Sequence, residues 1–402
     1  MNDILVFACI SGHYGNYTPL ILSRPLRITL KQILLYQFMA EEKIVDQINH
    51  LREEIVSTPY HKGTEHYIGR LRAKLARLED QLIQRKRGSG GGGYALPKSG
   101  DATAVLVGFP SVGKSTLLNA LSGASSKVAP YPFTTTSVVP GMFSFWGAKI
   151  QIFDLPGLIS GASSGKGRGR EVLSVVRNAD LVIILIDPFS LGQKKEIIGE
   201  LEKAGVRFNR QPPKIEINRK NKGGVIIKNS GKLRGIGETM VRAIAEELGV
   251  KNAEIVIKEP ITENDFVDTL LGNRVYLPEV TVIGKSDLLS LKRQEEIKKI
   301  MPEVIFASGQ KGQGLEELGR AIFKKLGLKR VYLKEKNGAV NNDEPFIFRG
   351  ELSVEKLAQR IFPKEEKRAK EALVWGKAVK YPGQKVGLNY HIKDQDIVSF
   401  RF

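Results

Sequence analysis

The sequence predicts an α/β protein built on a mostly parallel sheet covered on both faces, and three observations carry that prediction. Short apolar runs at 104–107, 150–153, 181–186, 280–283 and 304–306 read as buried strands, with helix-forming segments such as 171–178 between them. The first run leads into Gly108-Phe109-Pro110-Ser111-Val112-Gly113-Lys114-Ser115, a G-x-x-x-x-G-K-[ST] loop followed by a helical segment. The series stops near residue 188 and resumes after about 262, which marks an inserted unit.

In chain order, residues 1–38 stand apart: Asp3 is their one acid, and they hold the sole cysteine, Cys9. From Met39 the text becomes charged amphipathic helix. The expectation is an upstream extension ahead of a start at Met39, with a functional N-terminal arm as the alternative. Ile44, Ile48, Leu51 and Ile55 recur at helical spacing, as do Ile68, Leu71, Leu75, Leu78 and Leu82. Ser57-Thr58-Pro59 and Gly63 break the pattern, so residues 39–100 read as two antiparallel helices and a glycine-rich linker at 88–93. The second helix is rich in Arg and Lys. It either packs on the next domain, faces RNA, or does both on opposite sides.

The sheet domain is expected in two parts, 101–187 and 263–330, around an insertion at 188–262. That insertion predicts a hairpin from strands at 214–218 and 224–228, a helix at 236–248 and a strand at 254–258. Residues 205–234 hold nine Lys or Arg against one acid, Glu216, and are either phosphate-contacting loops or a solvated hairpin. The last unit, 331–402, predicts strands at 346–349 and 397–402 and a helix N-capped by Ser353. Trp375 is read as a core residue, with stacking on a base or partner as the alternative.

Composition bounds the partners. The 402 residues are 42% apolar and 26% charged, as in soluble globular chains of two or three domains. No run approaches the ~18–20 apolar residues of a membrane span, so no membrane partner is expected. One cysteine leaves no disulfide framework and fits a reducing cytoplasm. A net charge of +19 favours polyanionic partners such as RNA or the ribosome, because each neutralised phosphate releases counterions, with a solvated basic surface as the alternative; no DNA partner is expected. No helical stripe demands a coiled-coil partner, so a monomer is expected.

The chemistry follows from order and spacing. The glycines of the loop let backbone N–H groups close around a phosphate at a helix N-terminus. Lys114 reaches the β- and γ-phosphates, Ser115 ligates Mg2+, and Thr116 follows in the same turn. Asp154-Leu155-Pro156-Gly157 ends a strand: Asp154 holds Mg2+ through water, and Gly157 offers its N–H to the γ-phosphate. Between them, Tyr131-Pro132-Phe133-Thr134-Thr135-Thr136 supplies a threonine for the same ion, and local spacing leaves open which one. Lys285-Ser286-Asp287 ends a later strand, where a carboxylate accepts guanine N1–H and N2–H that adenine does not present. Ser308-Gly309 offers a backbone N–H to guanine O6.

On these residues the chain resembles the developmentally regulated GTP-binding protein (DRG) family, relatives of the Obg GTPases. The resemblance runs from about Met39 to Phe402 and includes the runs at 108–119, 131–135, 154–159, 272–278 and 372–376. It implies a P-loop Ras-like GTPase domain with an N-terminal helical hairpin, an inserted small α/β domain and a C-terminal β-grasp (TGS) domain. It implies GTP and GDP as ligands, Mg2+ as cofactor, hydrolysis of GTP, and Thr135 as the switch threonine. Two departures qualify this. Gly284 stands where the family's guanine motif has asparagine, which lowers the expected affinity. Leu158 follows Gly157 where a water-orienting glutamine would sit, which implies slow intrinsic turnover. Help then comes from a protein activator, from a monovalent cation such as K+ near Ser111, or from an arginine such as Arg168 in the loop 165–170. That loop also reads simply as a flexible switch.

Overall fold

A computed structural model of the chain describes residues 30–85, 99–123, 139–155, 175–335, 338–341, 344–363 and 369–401. The chain divides into two units, Met1–His50 and Leu51–Phe402. The described part of the first unit belongs to helix α1 (Leu30–Ser57). This helix runs unbroken across Met39, where composition suggests a boundary. Residues 30–38 contain no Gly or Pro and several Leu, Gln and Lys, all of which favour helix.

In the second unit, the end of α1 and helix α2 (Glu65–Arg85) flank the expected break at 57–63. Arg52 reaches Glu79 at 2.8 Å, and Thr58 Oγ1 donates to the Glu54 carbonyl at 2.7 Å.

The main sheet has strands β1 (Ala102–Val107), β2 (Val139–Phe145), β3 (Ala148–Asp154), β4 (Leu181–Ile186), β10 (Glu279–Ile283) and β11 (Ile305–Phe306). Their order is β11-β10-β4-β1-β3-β2, parallel except for the β2–β3 hairpin. β1 and β4 are buried along their whole length, as central strands covered on both faces must be. One face packs on helices α3 (Lys114–Ser122) and α8 (Leu315–Lys325), through Leu118, Leu121, Leu318 and Ile322. The other packs on α4 (Gln193–Lys203) and α7 (Leu291–Ile300), through Ile197, Leu201 and Ile297.

The insertion differs from its expected form in two ways. Strands β6 (Ile215–Arg219) and β7 (Val225–Lys228) do not pair as a hairpin. Strand β8 (Ala253–Ile257) lies between them, antiparallel to β6 and parallel to β7. β8 takes the centre because it carries the fully buried row Ala253, Ile255 and Ile257, whereas Glu216, Asn218 and Arg219 of β6 stay exposed. The boundaries also move. α4 and strand β5 (Val206–Phe208) belong to the main core, and β5 pairs with β9 (Val275–Leu277). Helix α6 (Glu263–Leu271) instead joins the insertion's core, with helix α5 (Glu238–Glu247), Ile68 and Ala73 of α2. So α2 packs on the insertion. Two of its basic residues, Arg70 and Arg72, are tied to Glu247 and Glu263.

The C-terminal unit is a five-stranded mixed sheet, β13-β12-β16-β14-β15, covered on one face by helix α9 (Val354–Ile361). Its strands are β12 (Leu328–Leu333), β13 (Phe346–Arg349), β14 (Glu371–Trp375), β15 (Gln384–Val386) and β16 (Asp396–Arg401). β12 straddles the boundary expected at 330. Ser353 caps α9 as anticipated, its Oγ accepting from the Lys356 N–H at 3.2 Å. Trp375 is neither deep in the core nor bare: it is half-buried, with the Lys334 ammonium 4.4 Å from its ring centroid. Among the described residues no helix is long and apolar enough to cross a membrane.

Candidate nucleotide-binding site

β1 hands the chain to the loop 108–113, and α3 begins at Lys114. Ser111 (φ 63°) and Gly113 (φ 96°) take left-handed backbone conformations, and reversals of this kind turn successive N–H groups toward one concavity. Val112 buries its side chain in the core, so only its backbone is available to a ligand. Phe109 is partly buried against both core faces, while Pro110 is exposed. The Lys114 Nζ folds back and donates to the carbonyls of Gly108 (3.1 Å) and Phe109 (2.9 Å). Burial pulls its pKa below the usual lysine value, against the opposing pull of Asp154.

The parallel register of β1 and β3 sets Asp154 beside Leu106, directly before the loop. Ser115 Oγ donates to Asp154 Oδ2 at 2.8 Å. Asp154 is 5% exposed, and its Oδ1 is buried without a hydrogen-bond partner among the described residues. Burial raises its pKa, and the Ser115 hydroxyl and the Lys114 charge oppose that rise. A buried carboxylate with one unsatisfied oxygen beside a hydroxyl is an oxygen-rich site suited to Mg2+ and its water shell.

The other half of the site lies at the ends of β10 and β11. A cavity of about 180 Å3 is lined by Gly113 and Thr116 on one side, and by Gly284, Lys285, Asp287, Ser308 and Gly309 on the other. The Gly284 N–H donates to the Ile186 carbonyl, and the Ser286 N–H to that of Ala307, which suspends the 284–287 loop between two strands. The Asp287 carboxylate is exposed and has no polar partner among the described residues. Ser308 is buried. Its N–H donates to the Gln313 carbonyl and its Oγ accepts from Lys311 N–H, so its own amide is committed to the chain. Gly309 presses on α3. A Cβ there would lie 2.8 Å from the Thr116 carbonyl and 2.9 Å from Leu117 Cα, so no other residue fits undisturbed.

The structure thus brings together Gly108 to Thr116, Asp154, Lys285, Asp287, Ser308 and Gly309. The remaining expected positions, Tyr131 to Thr136 with Thr135, Gly157, Leu158 and the 165–170 loop, lie outside the described residues. One residue went unnoticed in the sequence: Asp187, at the end of β4, accepts from Lys285 Nζ at 3.1 Å. Its only local signal is its place after a buried strand, and it gains meaning once β4 and β10 are known neighbours.

A parallel α/β sheet with this loop, this facing aspartate and a cavity between the next two strand ends defines a P-loop nucleotide-binding protein. Residues 103–219 match the family described as 50S ribosome-binding GTPase, and 222–328 match the C-terminal region of that domain. Residues 329–401 match the TGS domain. A GTP-binding protein of Methanocaldococcus jannaschii is 44% identical over 360 residues, covering 89% of this chain and 92% of that protein. Developmentally-regulated GTP-binding protein 1 of Xenopus laevis is 39% identical over 358 residues, covering 88% and 97%. Developmentally-regulated G-protein 2 of Arabidopsis thaliana is 38% identical over 362 residues, covering 89% and 90%. The chain belongs to the developmentally regulated GTP-binding protein family, and it is a GTP-binding protein with a C-terminal TGS domain.

Proposed function

We propose that the chain is a Mg2+-dependent GTPase that hydrolyses GTP to GDP and phosphate and acts as a cytoplasmic switch on or near ribosomes. The observation that carries the enzymatic part is the Ser115–Asp154 pair, with Asp154 Oδ1 left open beside Lys114. The loop amides of 108–115 bind the phosphates, and Lys114 leaves the carbonyls of Gly108 and Phe109 to meet the β- and γ-oxygens. Ser115 directly and Asp154 through water would hold the Mg2+, with Thr135 as the third protein group. When bound, that ion neutralises charge developing across the β- and γ-phosphates. Gly157 would offer its N–H to the γ-phosphate, and Leu158 has no polar side-chain group with which to orient a water. Intrinsic turnover is therefore slow and depends on an activator, on K+ near Ser111, or on Arg168.

Guanine is selected by Asp287, with Gly309 as the amide donor. Competition between GTP and ATP at equal concentration tests this, and preference for ATP replaces the reading with an ATPase. The ribosomal part rests on the +19 charge and on the description of the family that matches 103–219. It rests also on Arg210, Arg219, Lys222 and Arg234, exposed and without ion-pair partners among the described residues. A second reading is a nucleotide-gated RNA-binding module whose hydrolysis is incidental, favoured by Leu158. Hydrolysis measured with and without ribosomes separates them: RNA binding without stimulation supports the module.

A further inference from the structure

The base-binding loop lacks a tether that its pattern leads one to expect. At Gly284 there is no side chain to reach the phosphate loop, and a Cβ would stand 3.0 Å from the Val112 carbonyl oxygen and 3.1 Å from Leu185 Cδ1. Among the described residues, the polar side chains of 284–287 make one contact, from Lys285 Nζ to Asp187 Oδ2 at 3.1 Å. Lys285 itself sits at φ 50°, a conformation uncommon for a side-chain-bearing residue and in need of outside support.

Asp187 is held by contacts other than Lys285. Its Oδ1 accepts from the Phe189 N–H at 3.0 Å, and its own N–H donates to Gln193 Oε1 at 3.2 Å, in the first turn of α4. The carboxylate is thus held in one rotamer with Oδ2 aimed at β10. The pair is partly buried, with side-chain exposures of 39% for Lys285 and 21% for Asp187, so solvent screens it only in part.

We infer that Asp187 is the positioning residue of the nucleobase site: it fixes Lys285 from the neighbouring strand, replacing the tether that Gly284 does not supply. The aliphatic stem of Lys285 then forms a wall of the base cavity, which it lines together with Asp287. The inference rests on the reading of this cavity as the guanine site. A wall formed by methylenes does not read the exocyclic amine of guanine; Asp287 does.

The test is binding of fluorescent GDP and of inosine diphosphate, which lacks that amine, to the full chain. Asp187→Asn should weaken both about tenfold, the scale of one charge-assisted contact. The ratio between the two ligands should stay unchanged, whereas Asp287→Ala should collapse it. Asp187→Asn should add little on a Lys285→Met background, and Asp187→Glu should recover part of the loss. GTP turnover should show the effect in KM and not in kcat. Equal losses in the presence and absence of Lys285, or an effect under twofold, overturn the inference. If the unaltered chain fails to prefer GDP over ADP, the guanine reading itself falls, whatever Asp187→Asn does.

Discussion

Arg330 of β12 lies with its guanidinium 4.2 Å from the ring centroid of Trp146, the residue at the turn between β2 and β3. Its other neighbours are the Phe323 ring at 5.4 Å and the Asp394 carboxylate at 2.8 Å. The tip of the main sheet's hairpin and the C-terminal sheet therefore share one buried cation. That hairpin connects the segment before Val139 with Asp154, so the joint sits on the strands that lead to the site.

Arg330→Ala should destabilise the chain by about 2–4 kcal/mol, because Asp394 loses its partner in a half-buried place. Arg330→Lys should not restore the loss, since the planar fork and the stacking go with the guanidinium. Burial pushes the Asp394 pKa up, but the Arg330 hydrogen bonds outweigh it and leave the carboxyl below its ordinary value of 3.8. A depressed carboxylate stabilises the fold above 3.8 and ceases to do so as pH falls through the lowered value. Urea unfolding should thus separate the two proteins most at pH 7 and narrow the gap in strong acid, where the stacking of Arg330 on Trp146 and Phe323 remains as the residual difference.

Asp154→Asn should leave the nucleotide-free chain at least as stable, with a melting temperature higher by roughly 1–3 °C. The sign follows from a pKa raised above 3.8: the ionised form is disfavoured by the fold, so its contribution worsens as pH rises through the raised value. The same variant should lose the added stability that Mg2+ and GTP together confer. A thermal melt with and without both ligands checks the two halves, and a destabilised apo variant contradicts the account.

Gly309→Ala should cost about 1–3 kcal/mol, since the new methyl meets the α3 backbone and not a movable side chain. Guanine-nucleotide affinity should fall at least as much, because α3 carries Ser115 and Thr116 while the 308–309 loop lines the base cavity. Calorimetric binding beside an unfolding curve separates the two effects.

Asp268→Ala should be the most disruptive of these changes, at about 3–5 kcal/mol. Asp268 is 6% exposed and accepts from Arg207 at 2.6 Å and from Arg274 at 2.8 Å. Arg274 also reaches toward Asp80 of α2 at 3.9 Å, so three elements lose a shared pairing. Chemical denaturation at neutral pH measures it.

The phosphate loop was legible because its chemistry is local: eight consecutive residues determine both the turn and the amides. Asp154 and Asp287 were legible as residues that end apolar strands. Asp187 was not, for its partner lies 98 positions away in sequence and is brought near only by the β4–β10 pairing. The β6–β7 hairpin was misread for a related reason. Two strands separated by a glycine turn look like partners until a more apolar third strand competes for both edges. Amphipathicity likewise tells which face of α4 or α6 is buried, not which core receives it.

The central place of β8 also has a consequence for synthesis. β6 and β7 leave the ribosome before the strand that joins them, carrying Lys220 and Lys228 without the Glu254 that both bind in the finished sheet. Those two bonds hold the Glu254 carboxyl at about 2 once the sheet is complete. Until residue 257 has emerged, β6 and β7 lack the strand through which both are paired. A β6–β7 hairpin closed without β8 would leave Ile255 and Ile257 unburied. The three-stranded sheet of the insertion can therefore be completed only after β8 has been made.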